Sequence, residues 1–423
     1  MKILVVSQYF WPENFRINEV VHSLRDLGHE VEVLTGQPNY PDGVMHPGYS
    51  ATSVCTQIHE GLTIHRVPLV PRGRGSAFRL FLNYLSFVVS ASVFGPWLLR
   101  GRSCDVILVF GLSPILQVIP AIWFARIKGA KLVTWVQDLW PESLRATGFV
   151  RSQQILRAVA AVVRWIYRKN DLLLVQSRAF VLPVVSMAGG TPAVYHPNPG
   201  ELAFSMSDKE KAAPLQLELG FNVVFAGNLG TVQALDTLLA AAQLLRNEED
   251  VRFVLVGSGS RSAWLQQEVI RLGLHNVKLL GRFPPADMPS ILAQASAVLV
   301  SLVKDPVISQ TLPSKVQAYL AAGKPIIASL DGEGARVVTE AGAGITCPAE
   351  DAQALADAVI RLRNTEPEEL KKMSQRSLRY SEENFEPKLL ATRMSQILCD
   401  LVHDEQFPES GDKKLIKTTN HDA

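Results

Sequence analysis

A chain of 423 residues is long for one hydrophobic core and suits two domains plus a tail. Its content of 47% hydrophobic and 19% charged residues describes a folded protein with large buried sheets rather than a disordered chain. The net charge of +2 conceals an asymmetry, with 19 Lys and Arg against 11 Asp and Glu in residues 1–200 and 23 against 29 in residues 201–423.

The first elements alternate. Residues 2–7 (KILVVS) are a β-branched run that begins without the apolar core or cleavage signal of a secretory leader. Ile17, Val20, Val21, Leu24 and Leu27 fall at helical spacing, and residues 30–34 (EVEVL) give the next strand after a Gly28-His29 stop. Further strands are expected at 63–68, 105–109, 131–136, 171–175 and 192–195, with helices at 115–127, 151–168 and 177–187. Between them, residues 80–99 form 20 positions without a charge, flanked by Arg72, Arg74 and Arg79 before and Arg100 and Arg102 after. Three readings of that segment stand: a span, a helix that docks on the sheet while touching a membrane surface, and an ordinary buried helix.

After HPNPGE at 196–201 and a polar stretch to about 212, the rhythm restarts. Strands are expected at 222–226, 251–256, 276–280, 297–300, 324–328 and 342–346, with helices at 232–246, 261–272 and 286–294. Residues 350–362 and 368–401 read as helical, and the polar residues from 402 have no periodic apolar face. Val-, Ile- and Leu-rich strands separated by helices in both halves predict an α/β protein with two Rossmann-like, doubly wound parallel-sheet domains. We expect an N-terminal domain over 1–200, a C-terminal domain over 201–380, a helix crossing back over 381–401 and a disordered tail over 402–423.

In such sheets ligands gather just past the strands. The first strand is followed by QYFWPENFR, which lacks a GxGxxG fingerprint but sets three aromatics beside Asn14 and Arg16. Asn14 is equally a candidate helix cap. Asp138 follows the 131–136 strand, where a carboxylate can orient or accept a proton from a hydroxyl, or can brace its loop. Two glycine turns, GNLG at 227–230 and GSGS at 257–260, offer main-chain N–H groups to an anion, or pack helix on strand. Ser314 and Lys315 fall in the first turn of a helix, where a cation opposes the dipole unless it serves a bound diphosphate. Glu333, between Gly332 and Gly334, could accept two ribose hydroxyls while Arg336 offsets phosphate charge, or could pair with Arg336 instead.

The stretches MKILVVSQYFWPENFRINEV, GHEVEVLTGQPNYPDG, VQDLWPES, FAGNLGTVQALDTLL, LPSKVQAYLAAGKPIIA and DGEGARVV occur in that order. On these the chain resembles the GT4 glycosyltransferases of GT-B fold, whose two domains face a cleft, and among them the bacterial fucosamine-transferase type of O-antigen and capsule assembly. The resemblance implies a retaining, metal-free and cofactor-free hexosyltransferase that moves a sugar, for instance N-acetylfucosamine, from a UDP-sugar to an undecaprenyl-diphosphate-linked acceptor. With the strand-end residues read above, we expect donor contacts from Asn228, Gly230, Gly257, Gly259, Arg282, Phe283, Ser314, Lys315, Gly332, Glu333, Gly334 and Arg336, acceptor contacts from Asn14, Arg16 and Asp138, and catalysis by Asp138, Lys315 and Glu333. The basic N-terminal half would meet a membrane surface from the cytoplasm. No basic recognition helix points to nucleic acid, and Cys55, Cys104, Cys347 and Cys399 show no metal or disulfide spacing. The chain departs from the family pattern in having Gln310 and Ala318 where a Glu pair is usual, and Asn228 and Gln233 where Arg and Lys are usual. An epimerase or an inactive nucleotide-binding module are the alternatives.

Overall fold

The computed structural model describes residues 1–73, 77–146, 152–200 and 215–404. They fold as two α/β units, one of Met1–Asn198 with the chain from Leu390 onward, the other of Pro199–Leu389. Most of the polar connection before 212, and the tail beyond 404, lie outside the described residues.

In the first unit, β1 (Lys2–Val6), β2 (Glu30–Gly36), β3 (Cys55–His59), β4 (Leu62–Val67), β5 (Val106–Gly111), β6 (Lys131–Val136), β7 (Leu172–Val175) and β8 (Ala193–Tyr195) form one sheet in the order β3-β4-β2-β1-β5-β6-β7-β8. Its helices are α1 (Arg16–Asp26), α2 (Ala77–Leu98), α3 (Val118–Lys128), the short α4 (Glu142–Ala146), α5 (Gln153–Tyr167) and α6 (Val181–Ala188). α2, α3, α5 and α6 cover one face and α1 the other, so central strands such as β5 are buried at every position. Among the described residues only the edge pair β3–β4 is antiparallel. The reading of the sequence missed β3 because an edge strand facing solvent on both sides needs no apolar run: Cys55-Thr56-Gln57-Ile58-His59 is nowhere fully buried.

In the second unit, β9 (Phe221–Ala226), β10 (Val251–Val256), β11 (Val277–Gly281), β12 (Ala297–Ser301), β13 (Ile326–Ser329) and β14 (Gly344–Cys347) form an all-parallel sheet in the order β11-β10-β9-β12-β13-β14. α7 (Leu235–Leu244), α8 (Ser262–Leu272) and α12 (Ala352–Arg363) pack on one face. α9 (Met288–Ala293), α10 (Ser314–Ala322) and α11 (Glu333–Ala341) pack on the other, with Phe385 from α13 (Pro367–Phe385).

The helical stretch expected at 368–401 is two helices. Pro387 forces its predecessor Glu386 into an extended conformation (ψ 126°) and ends α13, after which α14 (Pro387–Val402) begins. Met394, Ile397, Leu398 and Leu401 recur at helical spacing and are buried in the first unit's core, opposite the face that carries α2. Each such burial is worth about 1.5–3 kcal/mol, enough to hold this C-terminal helix on the N-terminal sheet.

Candidate functional site

Each sheet reverses its strand order once, between β1 and β5 in the first unit and between β9 and β12 in the second. A crevice opens at the carboxyl ends of the strands at such a reversal, because the loops leave toward opposite faces. In the second unit that position holds a cavity of about 770 Å³, walled by the turns after β9, β10, β11 and β12 and by the start of α10.

Lys315 defines the cavity electrostatically. Its Nζ lies 2.6 Å from Gln233 Oε1 and 3.6 Å from the centre of the Phe225 ring, and no carboxylate among the described residues pairs with it. Burial pushes its ammonium down from 10.5 to about 7, since the neutral amide and the ring offset less of the lost hydration than a carboxylate would. The first turn of α10 also leaves main-chain N–H groups without helical acceptors, and Ser314 and Lys315 both line the cavity. A cation at a helix N-terminus with no counter-charge makes a site for an anion.

The glycine turns play a different part from the one expected. The N–H of Gly227 donates to Val256 O, that of Gly257 to Gly281 O and that of Gly259 to Ser262 Oγ, so none of the three is left for a ligand. The glycines are needed because the turns touch: a Cβ on Gly257 would stand 1.8 Å from Gly227 O, and one on Gly259 2.5 Å from Leu229 O. The N–H groups of Asn228 and Ser258, which carry no hydrogen bond among the described residues, remain at the wall. Arg282 and Phe283 line it from beyond β11.

Gly230, Gly332, Glu333, Gly334 and Arg336 are not among the walls of this cavity. Glu333 is buried at the start of α11 and forked by Arg336, with Nε–Oε2 and Nη2–Oε1 both 2.9 Å, and Arg336 also holds Glu340. The guanidinium expected on a diphosphate is thus engaged by two carboxylates, and the Glu333–Arg336 pairing is the arrangement present.

In the first unit, Asp138 follows β6. Its Oδ2 accepts from the main-chain N–H (3.1 Å) and the hydroxyl (2.7 Å) of Ser113, whose Oγ accepts from Trp140 Nε1 at 2.9 Å. Burial raises the carboxyl above its ordinary value, and the Ser113 bonds only partly offset that. Oδ1 has no hydrogen-bond partner among the described residues, so the more basic oxygen of a pre-oriented carboxylate keeps its capacity to accept a proton.

Residues 14–199 match the family described as "Glycosyl transferase 4-like domain", and residues 220–365 match "Glycosyl transferases group 1". The chain belongs to the glycosyltransferases. WcaI of Escherichia coli (strain K12), which carries the name "Putative colanic acid biosynthesis glycosyl transferase", is 28% identical over 339 residues, covering 76% of this chain and 82% of that protein. Among solved structures, sucrose-phosphate synthase from Thermosynechococcus elongatus superposes with a TM-score of 0.72 at 18% identity, over 96% of this chain and 100% of that one. HepE of Anabaena in complex with UDP and glucose superposes with a TM-score of 0.65 at 18% identity, over 94% and 99%. The fold is GT-B.

In this glycosyltransferase the Lys315 ammonium sits on the Gln233 amide. The cation is delivered to that place by α10, and the turn after β9 supplies the amide.

The acceptor residues expected after β1 are not gathered. Asn14 is exposed and caps nothing, since Phe15 is the N-cap of α1 and no side chain serves it; Arg16 lies 3.9 Å from Glu19. The loop is built by Glu13, a buried carboxylate that accepts from the N–H groups of Phe10, Asn39 and Tyr40 at 3.2, 2.7 and 2.7 Å. Glu13 thereby joins the loop after β1 to the loop after β2 and seats Tyr40 against Tyr9 and Phe15, with the Arg72 guanidinium 5.1 Å over the Tyr40 ring. Burial raises the Tyr84 phenol on α2 above its ordinary pKa, with Arg72 opposing the shift and Asp138 adding to it. Sequence reasoning missed Glu13, Tyr40, Arg72 and Tyr84; the available signal was QPNYPDG, a Pro- and Asn-rich turn at the carboxyl end of β2.

Proposed function

We propose that this glycosyltransferase moves a sugar, with retention, from a UDP-sugar to a lipid-diphosphate-linked acceptor in surface-polysaccharide biosynthesis, working at the inner face of the cell membrane. An N-acetylated deoxyhexosamine such as N-acetylfucosamine is the sugar the sequence resemblance favours. The observation that carries the reading is the half-buried ammonium of Lys315, which pairs with no carboxylate among the described residues, at the N-terminus of α10 inside a cavity large enough for a nucleoside diphosphate. The crystal of HepE with UDP and the naming of WcaI for colanic acid support the donor and the polysaccharide class.

In this mechanism Phe283 stacks on the base, and Lys315 with the N–H groups at the start of α10 receives the diphosphate. As the bond from the sugar's C1 to the β-phosphate oxygen breaks, negative charge grows on that oxygen, and fixed donors stabilise it most in the transition state. The acceptor oxygen forms the new bond to C1 on the same face. Asp138 orients the acceptor hydroxyl and takes its proton, and Tyr40, Arg72 and Tyr84 shape the acceptor's surroundings beside the sequence-derived Asn14 and Arg16.

Incubation with labelled UDP-sugars and membranes containing the lipid-diphosphate acceptor tests the proposal. Label passing into the lipid extract is the expected result. Conversion to an isomeric nucleotide sugar would assign an epimerase, and tight UDP binding without turnover would assign an inactive module.

A pH dependence follows. With Lys315 near 7 in the free protein, the ammonium is in place below pH 7, and a bound diphosphate raises its pKa. Binding therefore takes up a proton above pH 7, and UDP affinity should fall by up to about tenfold per pH unit between 7 and 9. Calorimetry in buffers of different ionisation enthalpy should read that uptake; affinity flat across this range would show that Lys315 does not meet the diphosphate.

A further inference from the structure

α2 is the one helix among the described residues long and apolar enough to cross a membrane, yet its fold argues against a span. Its inner face is fixed to the sheet along its length. Asn83 is buried and bonded to Gln8, Tyr9 and Val70, Phe87 and Ala91 lie in the core, and Gly95 meets Phe124 of α3 so closely that a Cβ would stand 2.4 Å from that ring. A spanning α2 would strip these bonds and uncover the core beneath.

The outer face is as regular as the inner one. Phe81, Leu85, Val89, Val93 and Trp97 recur every fourth residue and all are exposed, Trp97 to 67%. The stripe does not stop at α2. The neighbouring helices on the same face of the sheet expose Trp123 and Ile127 on α3, Ile155 and Trp165 on α5, and Leu182 and Val185 on α6. So much large apolar surface on adjoining helices marks an interaction surface. The four helices carry Arg79, Arg126, Lys128, Arg157 and Arg164 and not one Asp or Glu.

That charge pattern chooses the occupant. Two copies face to face would set cations against cations with no carboxylate on these four helices to answer them. An anionic lipid surface answers the cations everywhere, and three exposed tryptophans with long aliphatic side chains suit its interfacial zone. We propose that the face formed by α2, α3, α5 and α6 lies flat on an anionic membrane, with α2 in the plane of the interface and Trp97, Trp123 and Trp165 inserted at headgroup depth. The proposal deepens the lipid-linked reading of function by giving the protein's docking face. Its test reads binding alone and so stands or falls separately from sugar transfer.

The test mixes the full chain with vesicles of mixed anionic and zwitterionic lipid and, in parallel, with purely zwitterionic vesicles. Sedimentation should show binding that prefers the anionic vesicles, and lipids brominated near the headgroup should quench tryptophan fluorescence. The combined variant Phe81→Ser, Val89→Ser and Trp97→Ser, all at exposed positions, should lower partitioning by at least about 100-fold with an unchanged thermal melt. Arg157→Glu with Arg164→Glu should remove the preference for anionic lipid. Binding undiminished in the triple variant overturns the proposal. So does a parent that ignores vesicles but is a dimer in sedimentation and becomes monomeric in the triple variant, which would give the face to a second copy.

Discussion

Lys315→Met should lower kcat for glycosyl transfer by about 10²–10³-fold and, without ligand, should make the protein melt at a higher temperature than the parent. Methionine keeps the length and the contact with Phe225 but brings no charge to the cavity. The activity loss follows if the ammonium stabilises the departing diphosphate. The stability gain follows from the same burial that depresses its pKa to about 7 from 10.5. In the folded protein the charge is held in a place that disfavours it, so the parent is penalised in full below pH 7. Between 7 and 10.5 the unfolded chain binds more protons than the folded one, so the parent's stability rises with pH and the advantage of methionine shrinks. Melting curves of both proteins at pH 6 and pH 9, with and without UDP, check this. UDP should raise the parent's melting temperature more than the variant's, and a variant less stable than the parent at pH 6 would mean that Lys315 is held by something other than its ligand.

Asp138→Asn should reduce kcat by about 100-fold or more while leaving the Kd for UDP unchanged, because the cavity proposed to take UDP is built wholly from residues of the other unit. The substitution preserves shape: the amide oxygen can accept the two Ser113 bonds that Oδ2 now accepts. What is lost is a basic oxygen for the acceptor hydroxyl. Burial holds this carboxyl above its ordinary pKa, so the parent's rate should climb with pH on the acid side as Asp138 ionises, and the variant should lack that limb. A variant that retains the acid limb, or that loses UDP affinity instead of turnover, would remove Asp138 from the chemistry. A carboxyl with a raised pKa disfavours folding once it ionises, so the variant should be at least as stable as the parent at neutral pH.

Much of the fold was legible because buried parallel strands must be continuously apolar. KLVTWV and VRFVLV could be read as strands to the residue. The C-terminal helix was legible as a helix but not its break, since the change of direction at Glu386–Pro387 depends on one backbone angle. The site was legible in part. Lys315 stood out as a charge that the helix dipole disfavours at a helix start, and Asp138 as a carboxylate just past a strand. Glu333 and Arg336 stood out on the same grounds, yet they satisfy one another three residues apart on a helix. Sequence spacing allows that pairing but does not decide between a partner and a ligand.

By itself, the sequence determined two doubly wound α/β halves, the positions just past their strands where ligands can sit, and the family. These rest on local periodicity and on motifs, which are properties of contiguous residues. Tertiary structure alone decided which of those residues share a place. It set Lys315 on Gln233 across 82 positions, engaged the Gly257 and Gly259 N–H groups with the last carbonyl of β11 and the first hydroxyl of α8, and tied the loops after β1 and β2 through Glu13. It also turned the apolar positions of four separate helices onto one exposed face. Desolvation and hydrogen-bond occupancy depend on what packs around a group in three dimensions, and that is set by the fold as a whole rather than by any stretch of the chain.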